Sequence, residues 1–220
     1  YIVNLWNSFT GLYFQNIQAN AQLQTCASNL EKSMLSLKIL QKLTIYGFQK
    51  PADAAKPVDF LKMIFDRIKD LLECRMIIKS SSAYSQLLEK HEKFTLKHLK
   101  ILTEFQDYHR SVFTDFAPQV LEMAFNYVFF EGTRFLFDGN ELSMPNFVIH
   151  CLNLIKGYLL NSSGNVYSAP VEVDEKLTEI LKNFFTNERL GYIVEKLLIH
   201  YFLLTPIDLD QWENDSETFV

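Results

Sequence analysis

The stretch NLEKSMLSLKILQKLTIYGF, Asn29 to Phe48, decides the fold. Leu30, Met34, Leu37, Leu40 and either Leu43 or Thr44 recur at steps of three and four, so they line one face of a helix. Such a face must be buried against a neighbour. The spacing returns down the chain in Phe60, Ile64, Ile68, Leu71 and Leu72, in Leu88, Thr95, Leu99, Leu102 and Phe105, and in Phe116, Val120, Ala124 and Val128. It continues in Phe147, Cys151, Leu154, Ile155 and Tyr158, then in Leu190, Val194, Leu197 and Tyr201. No alternating run argues for a sheet.

Breaks between these segments fall near Thr25, at Gly47 to Pro57, at Lys79 to Ala83, near His109 to Ser111, at Glu131 to Pro145 and at Asn161 to Pro170. Gly47 suits a helix end and Pro57 a first turn. Helices therefore begin about every 27 to 33 residues, a pair every 55 to 60 or so, somewhat longer than the 40 to 47 of an average HEAT or armadillo unit. Antiparallel pairs in sequence order make either a closed bundle or an open solenoid. A helix predicted over 111–130 carries apolar residues on several sides, among them Phe113, Phe116, Leu121, Phe125 and Phe130, which favours a repeat packed fore and aft. The expected class is all-α, an α-solenoid of HEAT-type helix pairs running as one segment over 1–220.

With 220 residues, 48% of them hydrophobic, the chain can bury a sizeable core. It begins at Tyr1 inside an amphipathic pattern and ends at Val220 with no helix stop behind it, so it reads as an interior slice of something longer. No stretch approaches the roughly 18 apolar residues of a membrane span, and no basic-then-apolar leader opens it. Cys26, Cys74 and Cys151 are odd in number and set in apolar surroundings, which suits buried thiols in a reducing compartment. The N-x-S tripeptides at Asn161 and Asn214 read as chance matches.

The sequence holds no Gly-rich phosphate loop, paired-cysteine metal site, HExxH or glycine-flanked serine, and its seven glycines leave little for close backbone approach to a cofactor. His91 and His98 lie seven apart but lack a cysteine or clear carboxylate partner, so they read as surface residues rather than metal ligands. Cys74, between Glu73 and Arg75, reads as a structural thiol rather than an activated one. Neither an enzyme nor a cofactor is expected.

Charge is uneven. Residues 1–110 hold 15 Lys and Arg against 10 Asp and Glu, residues 111–220 hold 6 against 16, and the two halves give +5 and −10 within a total of −5. The second half repels nucleic acid and attracts basic protein surfaces. The lysines of Glu89 to Lys100 are interrupted by acids at helical spacing and read as a solvated face. Past Pro206 the acids Asp208, Asp210, Glu213, Asp215 and Glu217 come with no cation, interleaved with Leu209, Trp212 and Phe219. A short helix started by Pro206 would pin Leu209 and Trp212 to the preceding repeat and turn the acids to solvent.

Residues His200 to Phe219, HYFLLTPIDLDQWENDSETF, resemble a segment of the importin-beta (karyopherin) family, in which an acidic Trp-x-x-Asp-Pro-x-x-Phe signature follows a HEAT helix. SLKILQKLTIYGF, Ser36 to Phe48, and FVIHCLNLIK, Phe147 to Lys156, resemble that family too, in the expected order. Ser216 stands where the family tends to have Pro. The resemblance implies a stretch of about four helix pairs without catalytic chemistry. It implies binding of protein cargo, of Ran loaded with GTP and of the phenylalanine-glycine repeats of the nuclear pore, with shuttling between cytoplasm and nucleus. Trp212 and Phe219 would lock a connection between repeats, and Asp208, Asp210, Glu213 and Asp215 would face basic patches on Ran or cargo. The competing reading is a HEAT scaffold or regulatory subunit outside transport.

Overall fold

A computed structural model describes residues 1–47, 55–139, 141–162, 175–202 and 206–214. It begins with helices α1 (Ile2–Gln18), α2 (Leu23–Tyr46), α3 (Ala55–Ser80) and α4 (Leu88–Tyr108). There follow a short α5 (Arg110–Phe113), α6 (Ala117–Phe129) and α7 (Pro145–Ser162). The last helices are α8 (Glu175–Phe184), α9 (Asn187–Lys196) and α10 (Pro206–Asn214). Between α6 and α7 lies a two-residue hairpin of β1 (Phe137–Asp138) and β2 (Glu141–Leu142), the one departure among the described residues from an all-helical chain.

The helices stack in two layers. α1 pairs with α2, α3 with α4 and α6 with α7, while α1 packs on α3 and α2 on α4, so each pair leans on the next. In the first layer Trp6 meets Phe60 edge to face at 5.5 Å, Arg67 reaches Asn7 at 2.5 Å, and Phe65 stacks on Phe116 at 5.9 Å. In the second, Lys90 pairs with Glu31, Gln41 with Glu104, and His109 Nε2 with the Ile45 carbonyl. These partners advance together along both helices, so α2 and α4 run parallel. α4 meets α7 in the same sense: Gln106 Nε2 donates to the Leu154 carbonyl at 3.1 Å, and further along both segments the Tyr158 hydroxyl donates to the Phe113 carbonyl at 3.0 Å. Parallel layers of antiparallel pairs make an open all-α solenoid.

The core runs the length of the array and holds Trp6, Leu37, Ile64, Phe94, Phe113 and Phe147 fully buried. Each such side chain contributes roughly 1.5–3 kcal/mol. Sequence periodicity locates most of these faces, and the structure corrects several details. The first break, expected near Thr25, falls between Gln18 and Leu23, where Asn20 takes a positive φ of 52°; Thr25 itself sits inside α2. At the choice between Leu43 and Thr44, Thr44 is buried and Leu43 exposed. The helix expected over 111–130 is broken into α5, a 3-10 turn at Thr114–Phe116 and α6, because Pro118 fits only a first turn. Of the face predicted as Leu190, Val194, Leu197 and Tyr201, the last two pack on the core, but Leu190 and Val194 on α9 are exposed, and Tyr192 and Ile193 pack inward in their place.

The histidine reading is overturned. His91 and His98 are both fully buried. His91 Nε2 donates to the Leu71 carbonyl at 2.8 Å, which leaves Nδ1 to accept from the Tyr13 hydroxyl at 2.9 Å. His98 Nδ1 donates to the Phe94 carbonyl at 2.8 Å, with its ring against Trp6 and Phe94. Seven-residue spacing put both on one face, and it is the core face.

Candidate functional site

The acidic helix α10 follows the π-turn Leu197–Tyr201. Pro206 opens it as its position dictates. Asp210 and Glu213 are exposed, and Asn214 Nδ2 donates to the Asp210 carbonyl and carboxylate at 2.9 and 3.0 Å. Leu209 is exposed, and Trp212 is 56% exposed, so no core formed by the described residues holds its ring. The side chain of Asp208, and all of Asp215 and Phe219, lie outside the described residues.

A cleft of about 380 Å³ opens between α6 and the α8–α9 turn, lined by Phe125, Phe130, Phe184 and Tyr192 with Arg189 in its wall. The guanidinium lies 4.2 Å from the Phe184 ring centre and 4.8 Å from that of Phe125, and it donates to Glu122 at 2.8 Å. Thr186 caps α9 by accepting from the Arg189 backbone N–H at 3.2 Å. Sequence reading missed this cleft. Its signal was local: Thr-x-x-Arg directly after the adjacent rings Phe184 and Phe185.

Arg75, flanking Cys74, is engaged elsewhere. It donates to Glu92 at 2.6 Å and to the Phe135 carbonyl and the Ser143 hydroxyl at 3.3 Å each. Burial pushes the Cys74 thiol up to about 12, and the same cause raises Cys151. All three cysteines are buried, free thiols. Among the described residues no group of three or more His, Cys, Asp or Glu side chains is placed to hold a metal, and no helix is long and apolar enough to cross a membrane.

No family model matches the chain, and no solved structure matches it. Among curated proteins it is similar to importin-11 of mouse (Mus musculus) and of human (Homo sapiens), 34% identical to each over 220 aligned residues. The match covers 98% of this chain and 21% of either relative, so the chain spans about a fifth of their length.

Proposed function

We propose, from its likeness to importin-11, that the chain is of the importin-beta family and forms one stretch of a nuclear transport receptor, a non-catalytic scaffold that binds protein cargo and Ran loaded with GTP. The supporting observation is that 34% identity to importin-11 is held along 98% of the chain. Helix pairs stacked in sequence order agree with it, since such an array presents long, shallow surfaces rather than one enclosed pocket. The 220 residues act as one continuous segment, and the receptor shuttles between cytoplasm and nucleus.

In this reading Asp208, Asp210, Glu213 and Asp215 attract basic patches on Ran or cargo, and Trp212 and Phe219 lock a connection between repeats. The aromatic cleft beside Arg189 has the size and lining to take the phenylalanine of a phenylalanine-glycine repeat. Cargo and Ran-GTP exclude each other, so the nucleotide on Ran sets direction through a coupling between two ligands of one scaffold.

The test is binding of the protein to Ran carrying GTP or GDP. A clear GTP preference is expected. Replacing the four acids with Asn or Gln should weaken that binding in a salt-sensitive way without changing helicity. Equal or absent binding in both nucleotide states would discard the transport reading and leave a HEAT scaffold outside transport.

A further inference from the structure

The parallel helices α2 and α4 share an outward ridge that carries Lys38 and Lys42 from one and Lys97 and Lys100 from the other. Lys38, Lys42 and Lys100 are exposed and Lys97 is half-buried. Burial is the main cause lowering the Lys97 pKa; Glu104 opposes it, and Lys100, Lys38 and Lys42 each lower it further. Lys38 and Lys42 on α2 thus lie within electrostatic reach of Lys97 on α4. Glu104 is already engaged, accepting from Gln41 at 2.6 Å and lying 3.8 Å from Lys100, and Glu31 is held by Lys90. Among the described residues, Lys38, Lys42 and Lys97 have no carboxylate within ion-pair distance.

At one end of the same ridge, Tyr46 and Tyr108 meet edge to face at 5.5 Å while remaining 54% and 59% exposed. Lys42 stands 5.0 Å from the Tyr46 ring centre. Two rings that brace each other across neighbouring helices form a rigid, amphipathic platform of the kind interfaces favour. Like charges beside it, offset only in part by Glu104, repel one another, and a ligand that brings carboxylates relieves that repulsion.

We propose that this ridge is a docking surface for an acidic segment of a partner protein, which sets an apolar or aromatic side chain on Tyr46 and Tyr108 and carboxylates on the four lysines. Nucleic acid fits less well: affinity there grows with the number of phosphates neutralised, and here the cations are few, with Glu104 and Asp107 close to Tyr108. The ridge is formed by α2 and α4 alone, so the inference stands apart from the transport reading and from whatever the acids of α10 bind.

Fluorescence anisotropy of a labelled peptide of about twelve residues, acidic with one tryptophan and two leucines, titrated with the whole protein, provides the test. Saturable binding is expected, weaker at high salt and reduced about tenfold or more by Lys38→Glu with Lys97→Glu. Tyr46→Ala with Tyr108→Ala should reduce it too. All four positions are solvent-accessible, and an unchanged circular dichroism spectrum separates lost docking from lost folding; Lys38→Gln with Lys97→Gln should give an intermediate loss. Absent binding, binding indifferent to lysine reversal, or tighter binding of an oligothymidylate than of the peptide would overturn the proposal, the last by assigning the ridge to phosphate.

Discussion

Arg75 Nε stands 2.6 Å from Glu92 Oε1, in a pair whose cationic side chain is 3% exposed and whose carboxylate side chain is 27% exposed. The remaining guanidinium N–H groups reach the Phe135 carbonyl and Ser143, whose hydroxyl in turn donates to the Leu136 carbonyl at 2.8 Å. One buried cation thus ties α3 to α4 and both to the excursion that carries the hairpin.

Arg75→Met strips this site of its cation and leaves a partly buried carboxylate and a buried carbonyl without their donor. We expect a loss of roughly 3 kcal/mol, read as a lower urea midpoint with unchanged slope. Arg75→Met combined with Glu92→Met should lose less, because no unpaired charge remains. Equal losses in the two variants would show that the pairing itself matters little.

Acid should destabilise the fold well before the carboxylates titrate. Burial lowers His91 and His98 to about 4, with Arg75 adding to the effect at His91 and the neighbouring His91, Arg67 and Lys97 at His98. Unfolded, each histidine takes its proton near pH 6.5, so the unfolded state binds more protons between about pH 6.5 and 4. The stability these neutral rings lend is whole above about pH 6.5 and is lost as pH falls toward 4, on the order of 3 kcal/mol for each. Urea midpoints between pH 7 and 4.5 check this, and His98→Leu should roughly halve the slope.

Gly157 lets α7 lie close against α4. A Cβ there would overlap the side chain of Gln106, which is buried and bonded to the Leu154 carbonyl. Alanine is the better helix former by about 1 kcal/mol, but the overlap and the displaced hydrogen bond outweigh that gain. Gly157→Ala should destabilise by about 1 kcal/mol. In a Gln106→Ala background the same change should become neutral or stabilising, which thermal unfolding of the four proteins will show.

The thiols should be silent in the native state. Cys74, at about 12, and the still higher Cys151 are held protonated by burial, and the same cause raises Cys26. Labelling with a disulfide reagent at pH 8 should run far slower than for free cysteine and reach three thiols only after unfolding. Fast labelling of native Cys74 would contradict the placement of Arg75.

Repetition was the legible part of this fold. Leu30, Leu37 and Leu40, or Leu99, Leu102 and Phe105, declare their buried face because a helix against a neighbour leaves a three- and four-residue imprint. What escaped depends on which neighbour lies where. Leu190 and Val194 carry the same imprint as Leu197, yet Arg189 stacked on Phe125 and Phe184 rotates α9 so that both face solvent. His91 and His98 were misread because a single sequence cannot show that the Tyr13 hydroxyl and the Leu71 carbonyl wait in the core to satisfy an imidazole. For the candidate site, exposure of Asp210 and Glu213 followed from their charge, while the ridge of α2 and α4 needed two helices brought together from 60 residues or so apart.

An array of stacked pairs, pulled from its ends, would peel one pair at a time, since each holds only its neighbours. The hairpin changes that. Its Asp138 is paired with Lys79 on α3, and its Phe137 packs on His200 and Tyr201, 5.9 and 5.6 Å between ring centres, after α9. The second pair and the far end are therefore strapped together over the top of the pair between them. Under tension the section from α3 to the π-turn should hold as one spring and then give way in a single snap, while α1 and α2, outside the strap, peel first.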